Sequence, residues 1–120
     1  MDNKTTVEDL KNLVKNFCEQ RDWDQFHHPK ELAIGISTEA NELLQIFRFK
    51  NEEQMKELMS SNKKNEVQEE LADVVYFALR FAQMNDIDLS SAIIDKIEKN
   101  NAKYPVDKAK GCNKKYNEYK

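Results

Sequence analysis

The amino-acid sequence predicts an all-α fold, a bundle of four helices with a possible short fifth one. The 120 residues include only two Gly and two Pro, so residues that form turns are scarce. Charged residues make up 34% of the chain and the composition is rich in helix formers. Together these observations favour a few long helices with short connections around a single core.

The first helix is predicted at about residues 7–20, where apolar side chains recur at intervals of three and four. Thr5 and Glu8 have the spacing of a capping box that would begin it. The next segment, residues 21–29, shows no periodicity and is dense in aromatic residues, which indicates a loop.

Three further helices and a short one are predicted along the rest of the chain. The second helix has Pro29 in its first turn and runs to about Phe49, and residues 52–59 could form the short helix. The third covers about residues 66–84, and Asp88 can cap a fourth that ends near Pro105. The residues expected to face inward on the fourth helix are Leu89, Ile93 and Ile97.

The third predicted helix is apolar on nearly every side, so it needs cover on more than one face. Four helices can hardly supply that cover, and we therefore expect an oligomer with a subunit interface at this helix. Residues 1–105 are predicted to form the domain. Residues 106–120 are predicted to be a polar tail, loosely ordered until it meets a partner surface.

Charge and apolar patterning exclude several functional classes. The formal net charge of −3 disfavours general nucleic-acid binding. No apolar run reaches the length of a membrane span and the first residues lack a signal-peptide core, so we expect a cytoplasmic protein without membrane contact. Cys18 and Cys112 have no metal-type spacing and are predicted to be free thiols.

Two carboxylate pairs, Glu39 with Glu42 and Glu70 with Asp73, carry most of the functional information. Each pair has i, i+3 spacing, which places both side chains on one helix face beside the apolar stripe. Two helices that pack through their apolar stripes can bring the two pairs together. Carboxylates so close repel one another unless a cation compensates their charge, and their oxygens suit a hard divalent cation such as Mg²⁺. The motifs contain no His or Cys, which argues against di-iron and zinc sites. The alternative is a solvated acidic surface.

Two other groups could contact a nucleotide. On the fourth helix, two Lys and one Asn form a row that could reach phosphate oxygens, although long Lys side chains also extend past a core to water. Aromatic side chains of the loop could stack on a base or simply cap the core. The first group is Lys96, Asn100 and Lys103, and the second is Trp23, Phe26 and His27.

Residues 39–42 (EANE) and 70–73 (ELAD) resemble the paired ExxE and ExxD motifs of the MazG-like, all-α NTP pyrophosphatases. Residues 21–29 (RDWDQFHHP) and the K-x3-N-x2-K-Y-P pattern of residues 96–105 resemble the dCTP pyrophosphatase branch. The resemblance implies a MazG-type bundle that assembles as a dimer or a dimer of dimers. It also implies Mg²⁺, with Mn²⁺ as a possible substitute, bound by Glu39, Glu42, Glu70 and Asp73.

The same resemblance assigns roles to the groups that would bind the substrate. Trp23, Phe26 and His27 would face the base and sugar, and Phe49 and Phe77 would lie against the base. The phosphates would meet Lys96, Asn100 and Lys103.

Two positions depart from the dCTP branch. Val14 and Phe77 stand where that branch has a His and a Tyr, so the base pocket has lost polar groups. We therefore expect the pocket to select less strictly for cytosine, or to prefer another pyrimidine or a modified base.

The implied reaction converts a nucleoside triphosphate and water into the monophosphate and pyrophosphate, with a pyrimidine dNTP such as dCTP or a modified analogue as substrate. Water would attack one phosphorus, which we expect to be the α-phosphorus, and Glu39 or Glu42 would take its proton. Two other classes stay open: a non-catalytic module that binds nucleotide, and a helical interaction protein.

Overall fold

The structure is a computed structural model that describes residues 1–119, and this part of the chain contains helices and no strand. The all-α prediction is therefore confirmed, and the short helix after the second one is present. The elements are α1 Val7–Glu19, α2 Pro29–Phe47, α3 Glu52–Ser60, α4 Lys64–Met84, α5 Leu89–Lys103, α6 Val106–Ala109 and a 3₁₀ turn at Tyr116–Glu118.

The N-terminus of α1 carries a capping box one residue later than predicted. The backbone N–H of Asp9 donates to Thr6 Oγ1 at 3.0 Å, and the backbone N–H of Thr6 donates to Asp9 Oδ2 at 2.9 Å. Thr5 and Glu8 do not form the box, because the helix begins at Val7 and Thr6 is the last extended residue before it.

Helix α2 begins at Pro29, as predicted, and ends at Phe47 rather than at Phe49. Arg48 leaves the helical region with ψ 135°, and Phe49 has a positive φ of 67°. A left-handed residue directly after a helix is a common way to end it. The hydrophobic periodicity continues through this point, which is why the sequence predicts two residues too many.

The chain divides into two compact units, residues 1–86 and residues 87–119. In the first unit α2 and α4 form the most extensive helix pair, α1 packs on α4, and α3 contacts α4 over a smaller area. Helix α4 is thus the central helix of this unit. The buried apolar side chains are Cys18, Leu32, Leu58, Val67, Leu79 and Ala82.

Apolar side chains also remain on the surface of the first unit. On α4, Leu71 is 50% exposed and Val75, one turn later, is 43% exposed. Leu44 on α2 is exposed as well. The single chain therefore leaves uncovered part of the apolar surface for which a subunit interface was predicted.

In the second unit, Asp88 caps α5 as predicted, and its carboxylate accepts from the backbone N–H of Ser91 at 2.9 Å. The inward orientation predicted for Ile93 and Ile97 is wrong for the single chain, since both are more than half exposed. The short segments within residues 87–119 offer no long helix to cover this face of α5.

The tail is more ordered than the sequence indicates. It forms α6 and the 3₁₀ turn, and the ring of Tyr104 makes edge contacts with Tyr116 and Tyr119, each at 6.0 Å between centroids. Aromatic contacts between distant positions leave no periodic signal, so a polar composition alone predicts a loose tail. Lys120, the last residue of the predicted tail, lies outside the described residues.

Within residues 1–119, no helix combines the length and the apolar character needed to cross a lipid bilayer. The cytoplasmic location stays a prediction.

Candidate metal and nucleotide site

Three carboxylates from two helices converge at one place in the first unit. Glu39 on α2 and Glu70 and Asp73 on α4 each offer an oxygen, and these oxygens lie within 4.8 Å of one another. Glu39 and Glu70 are half-buried and Asp73 is exposed. The predicted convergence of the two acidic pairs is thus present for three of the four side chains.

Glu42, the fourth predicted ligand, is exposed and lies outside this acidic cluster. Its charge still acts on the cluster, because it contributes to raising the pKa of both Glu39 and Glu70. Glu42 therefore lies beside the cluster rather than in it, and its role as a ligand stays a prediction.

Burial and like charge both raise the pKa of Glu39 and Glu70 above the usual value for glutamate. Loss of hydration is the larger cause for each, followed by the negative charge of Asp73. These effects disfavour the ionised forms unless a cation compensates them. The acidic cluster is therefore electrostatically suited to a positive ligand.

Gly35 allows α2 and α4 to come close enough for the acidic cluster to form. A Cβ atom at this position would lie 2.4 Å from Phe77 Cδ1, so the phenyl ring occupies the space that a side chain would fill. Gly35 and Phe77 stand one helical turn from Glu39 and Asp73, respectively, so this contact sets the helix spacing at the carboxylates.

An apolar pocket of about 460 Å³ opens beside the acidic cluster. Its size is that of a small-molecule site, and an apolar cavity with few polar groups is a usual setting for a base. Asp73 belongs both to the pocket wall and to the carboxylate group, so the two features adjoin. The lining residues are Leu13, Val14, Phe17, Trp23, Asp73 and Tyr76.

Aromatic rings form one wall of this pocket. The ring of Phe17 makes edge contacts with Trp23 at 5.7 Å and with Tyr76 at 6.0 Å between centroids. Tyr76 Oη lies 3.1 Å from the buried Cys18 Sγ. Burial and this hydrogen bond raise the pKa of Tyr76, so the phenol is neutral at physiological pH.

Sequence reasoning missed Leu13, Phe17 and Tyr76 as pocket residues. Leu13 and Phe17 lie on the apolar stripe of α1, where periodicity assigns them to the core. A signal was available for Phe17, since it stands six residues before Trp23 across a tight connection and can reach the same wall.

The loop residues predicted to face the base have three different environments. Trp23 lines the pocket, and Phe26 is 60% exposed. His27 accepts a hydrogen bond at Nδ1 from Arg80 Nε at 2.9 Å and is half-buried. The structure therefore places only Trp23 of the three on the pocket wall.

Phe49 and Phe77 lie away from this pocket wall. Phe49 is 89% exposed, with the guanidinium of Arg48 4.5 Å from its ring centroid, and it borders a separate cavity of about 450 Å³ next to α3. Phe77 packs against Gly35 and meets the ring of Tyr76 at 5.1 Å between centroids. In the single chain neither side chain is brought to Trp23.

The predicted phosphate-contacting residues belong to the second unit. Lys96 is exposed and Asn100 is half-buried on α5. The Lys103 ammonium lies 5.0 Å from the ring centroid of Tyr116. This cation–π contact holds Lys103 against the tail.

Comparison with known proteins gives consistent matches. The model of the MazG-like family matches residues 34–119. The chain is similar to dCTP pyrophosphatase 1 of Bos taurus, at 34% identity over 112 residues, which is 92% of this chain and 66% of that protein. The human protein of the same name is 33% identical over 114 residues, 94% of this chain and 67% of that protein. The chain thus spans about two thirds of the length of these relatives.

A solved structure is also similar. It is a pyrophosphatase from Archaeoglobus fulgidus, with a TM-score of 0.77 and 37% sequence identity, and the match covers 82% of this chain and 91% of that one. Fold, family model and relatives agree on the class of protein. The chain belongs to the MazG-like family, in agreement with the sequence resemblance. The bovine and human relatives are named dCTP pyrophosphatase 1, and the archaeal structure is named a pyrophosphatase.

Proposed function

We propose that this protein is a magnesium-dependent nucleoside triphosphate pyrophosphohydrolase that converts a pyrimidine dNTP, such as dCTP or a modified analogue, into the monophosphate and pyrophosphate. The observation that carries this proposal is the position of Asp73, which lines an apolar, aromatic pocket and also belongs to a group of three carboxylates. A base and a metal-bound phosphate chain need such neighbouring sites. The relatives named dCTP pyrophosphatase 1 support the substrate class.

The acidic cluster fits a hard divalent ion. Its donors are all carboxylate oxygens. Burial, and after it the negative charge of neighbouring carboxylates including Glu42, raises the pKa of Glu39 and Glu70. Mg²⁺ prefers oxygen donors and commonly shares its coordination with substrate phosphates, and Mn²⁺ could substitute. A bound ion would neutralise the triphosphate oxygens and lower the pKa of the attacking water.

The remaining roles belong to the side chains of the protein. Trp23 would stack on the base, and Val14 would contribute an apolar surface where a polar group would read cytosine. Glu39 or Glu42 would accept the proton of the attacking water. By the family resemblance, the phosphate chain would be bound by Lys96, Asn100 and Lys103.

Self-association as a dimer or a dimer of dimers would cover the apolar surface that the single chain leaves exposed. Leu71 and Val75 on α4 are the side chains whose exposure supports this part of the proposal. Sedimentation velocity of the purified protein measures the assembly directly.

The decisive experiment is a screen for pyrophosphate release over canonical and modified dNTPs and NTPs, with and without Mg²⁺. We expect release from at least one pyrimidine deoxynucleotide, and no release in EDTA. Nucleotide binding without release would indicate a non-catalytic module. No nucleotide binding and no change of melting temperature with Mg²⁺ would indicate a helical interaction protein.

A further inference from the structure

Arg80 on α4 is the buried charged residue of the first unit, and its side chain is fully buried. Its partners come from the loop between α1 and α2 and from α4 itself. The guanidinium donates to His27 Nδ1 at 2.9 Å, to Gln83 Oε1 at 2.5 Å and to Asp24 Oδ1. Removing a guanidinium from water is costly, and here its donors are matched by three side-chain acceptors.

Two of these partners flank the Trp that lines the pocket. Asp24 follows Trp23 directly, and the His27 ring lies 6.0 Å from the Trp23 ring between centroids. At its start the loop is also fixed to α1, since the backbone N–H of Trp23 donates to Cys18 O at 3.1 Å and the Trp23 ring meets Phe17. The bonds from Arg80 to Asp24 and His27 connect the rest of the loop to α4, on the side of the indole away from α1 in sequence.

We propose that Arg80 is a positioning residue for nucleotide binding: through Asp24 and His27 it holds the loop so that Trp23 forms the pocket wall. This inference rests on the proposed function and adds to it a residue that touches neither the pocket nor the acidic cluster. Preorganised stacking groups lower the cost of binding, so losing the anchor weakens substrate binding more than the chemical step.

The protonation state of His27 agrees with this arrangement. Its Nδ1 accepts from Arg80, which requires the neutral ring. Burial lowers the pKa of His27, the positive charge of Arg80 lowers it further, and the carboxylate of Asp24 opposes both effects. Replacing Arg80 by an uncharged residue should therefore raise the pKa of His27, which NMR titration of the ring protons measures.

The test uses the variants Arg80→Met and Asp24→Asn, with pyrophosphate release from dCTP and Mg²⁺ as the assay. For Arg80→Met we expect KM to rise about tenfold or more while kcat stays within about threefold, since the acidic cluster is untouched. For Asp24→Asn the expected rise in KM is about three- to tenfold, because one charged hydrogen-bond partner becomes neutral. Asp24→Glu, which restores the charge, should recover KM.

Trp23 supplies a second readout that does not depend on turnover. It is the single Trp of the chain, so its fluorescence reports the loop alone. Both variants should shift the emission to longer wavelength and increase acrylamide quenching. They should also bind dCTP carrying an α,β-imido bridge more weakly. A merely structural role for Arg80 would lower the melting temperature and leave KM and emission unchanged.

The matched control is Glu19→Gln, which removes a carboxylate from the exposed Lys15–Glu19 ion pair. It should leave KM and Trp23 emission unchanged. If Arg80→Met does not fold, Asp24→Asn decides, since the Asp24 side chain is 51% exposed and its loss leaves no buried cavity. Wild-type KM and emission in a folded Asp24→Asn would overturn this inference alone. A wild-type protein that releases no pyrophosphate from any nucleotide would overturn the proposed function and this inference with it.

Discussion

Two regions of helix α4 differ in whether their charged side chains have compensating partners. At Arg80 the helix carries a fully buried cation whose partners, Asp24, His27 and Gln83, all belong to the same chain. Two turns earlier it carries Glu70 and Asp73, which meet Glu39, and no basic side chain of residues 1–86 lies within salt-bridge distance of these three. The first unit therefore compensates the charge of Arg80 with its own side chains but does not compensate the charge of the acidic cluster.

This difference separates a structural charge from a ligand-binding one. A cation that must be buried is stable only when its partners are built in, as they are for Arg80. A group of carboxylates that raises the pKa of its own members stores unfavourable repulsion, and a bound cation relieves it. Of the two charged regions on α4, the acidic cluster is therefore the one that we expect to bind a ligand.

The largest effect should follow from neutralising the acidic cluster. Glu39→Gln or Asp73→Asn should lower pyrophosphate release by roughly two to three orders of magnitude, because each removes charge stabilisation that the reaction needs. The helical circular-dichroism signal should stay unchanged. The matched control is Glu69→Gln on the same helix, since Glu69 is exposed and outside the cluster. Near wild-type turnover in either cluster variant would contradict the site assignment.

The next effect concerns the pocket beside the acidic cluster. Trp23→Ala should raise KM for dCTP by about 5- to 150-fold, which corresponds to the roughly 1–3 kcal/mol that stacking on one base contributes. Trp23→Phe keeps an aromatic face and should lose less. Steady-state kinetics at saturating Mg²⁺ distinguishes the two. Equal KM values for Trp23→Ala and the wild type would show that the base binds elsewhere.

The helix contact at Gly35 gives a smaller effect, on stability. Gly35→Ala places a Cβ atom against the Phe77 ring and should lower the free energy of unfolding by about 1–3 kcal/mol, the usual cost of overpacking. The gain in helix propensity, about 1 kcal/mol, offsets part of this cost. Urea denaturation measures the difference. Adding Phe77→Leu should restore stability, and its failure to do so would place the clash elsewhere.

The smallest effect concerns pH in the absence of metal. Because the folded-state pKa of Glu70 is raised, ionisation costs more in the folded than in the unfolded protein. In EDTA, stability should therefore fall as pH rises from the ordinary glutamate pKa through the raised one. Glu70→Gln should reduce this decline, and it should melt slightly higher than the wild type at neutral pH. Melting curves from about pH 4 to 8 test this sign. An unchanged pH profile would show that the repulsion is already relieved.

Much of the fold could be predicted from periodicity and capping. The helix boundaries at Pro29 and Asp88 follow from the fixed φ of proline and from the carboxylate cap of α5. Spacing predicted that Glu39, Glu42, Glu70 and Asp73 lie on facing sides of two packed helices, and the structure brings three of the four together, all but Glu42. Capping and periodicity were therefore sufficient for features that depend on residues close together in sequence.

The rest depends on contacts between distant positions. From the sequence alone an arginine such as Arg80 is expected at the surface. Its burial is explained by its hydrogen bonds to Asp24 and His27, which lie more than 50 positions earlier in the chain. Gly35 resembles an ordinary weak point in a helix until Phe77 is seen against it. The order of the tail likewise comes from ring contacts of Tyr104, which no periodic pattern encodes.

The shared position of Asp73 has a thermodynamic consequence. Asp73 belongs to the acidic cluster and to the pocket wall, so in the proposed function ion binding and base binding would act on the same residue. Binding at one of these two sites would then change the affinity of the other site. Linkage makes this effect reciprocal, so a nucleotide would change the affinity for the ion by the same factor as the ion changes the affinity for the nucleotide. A single side chain would thereby couple the two proposed binding equilibria.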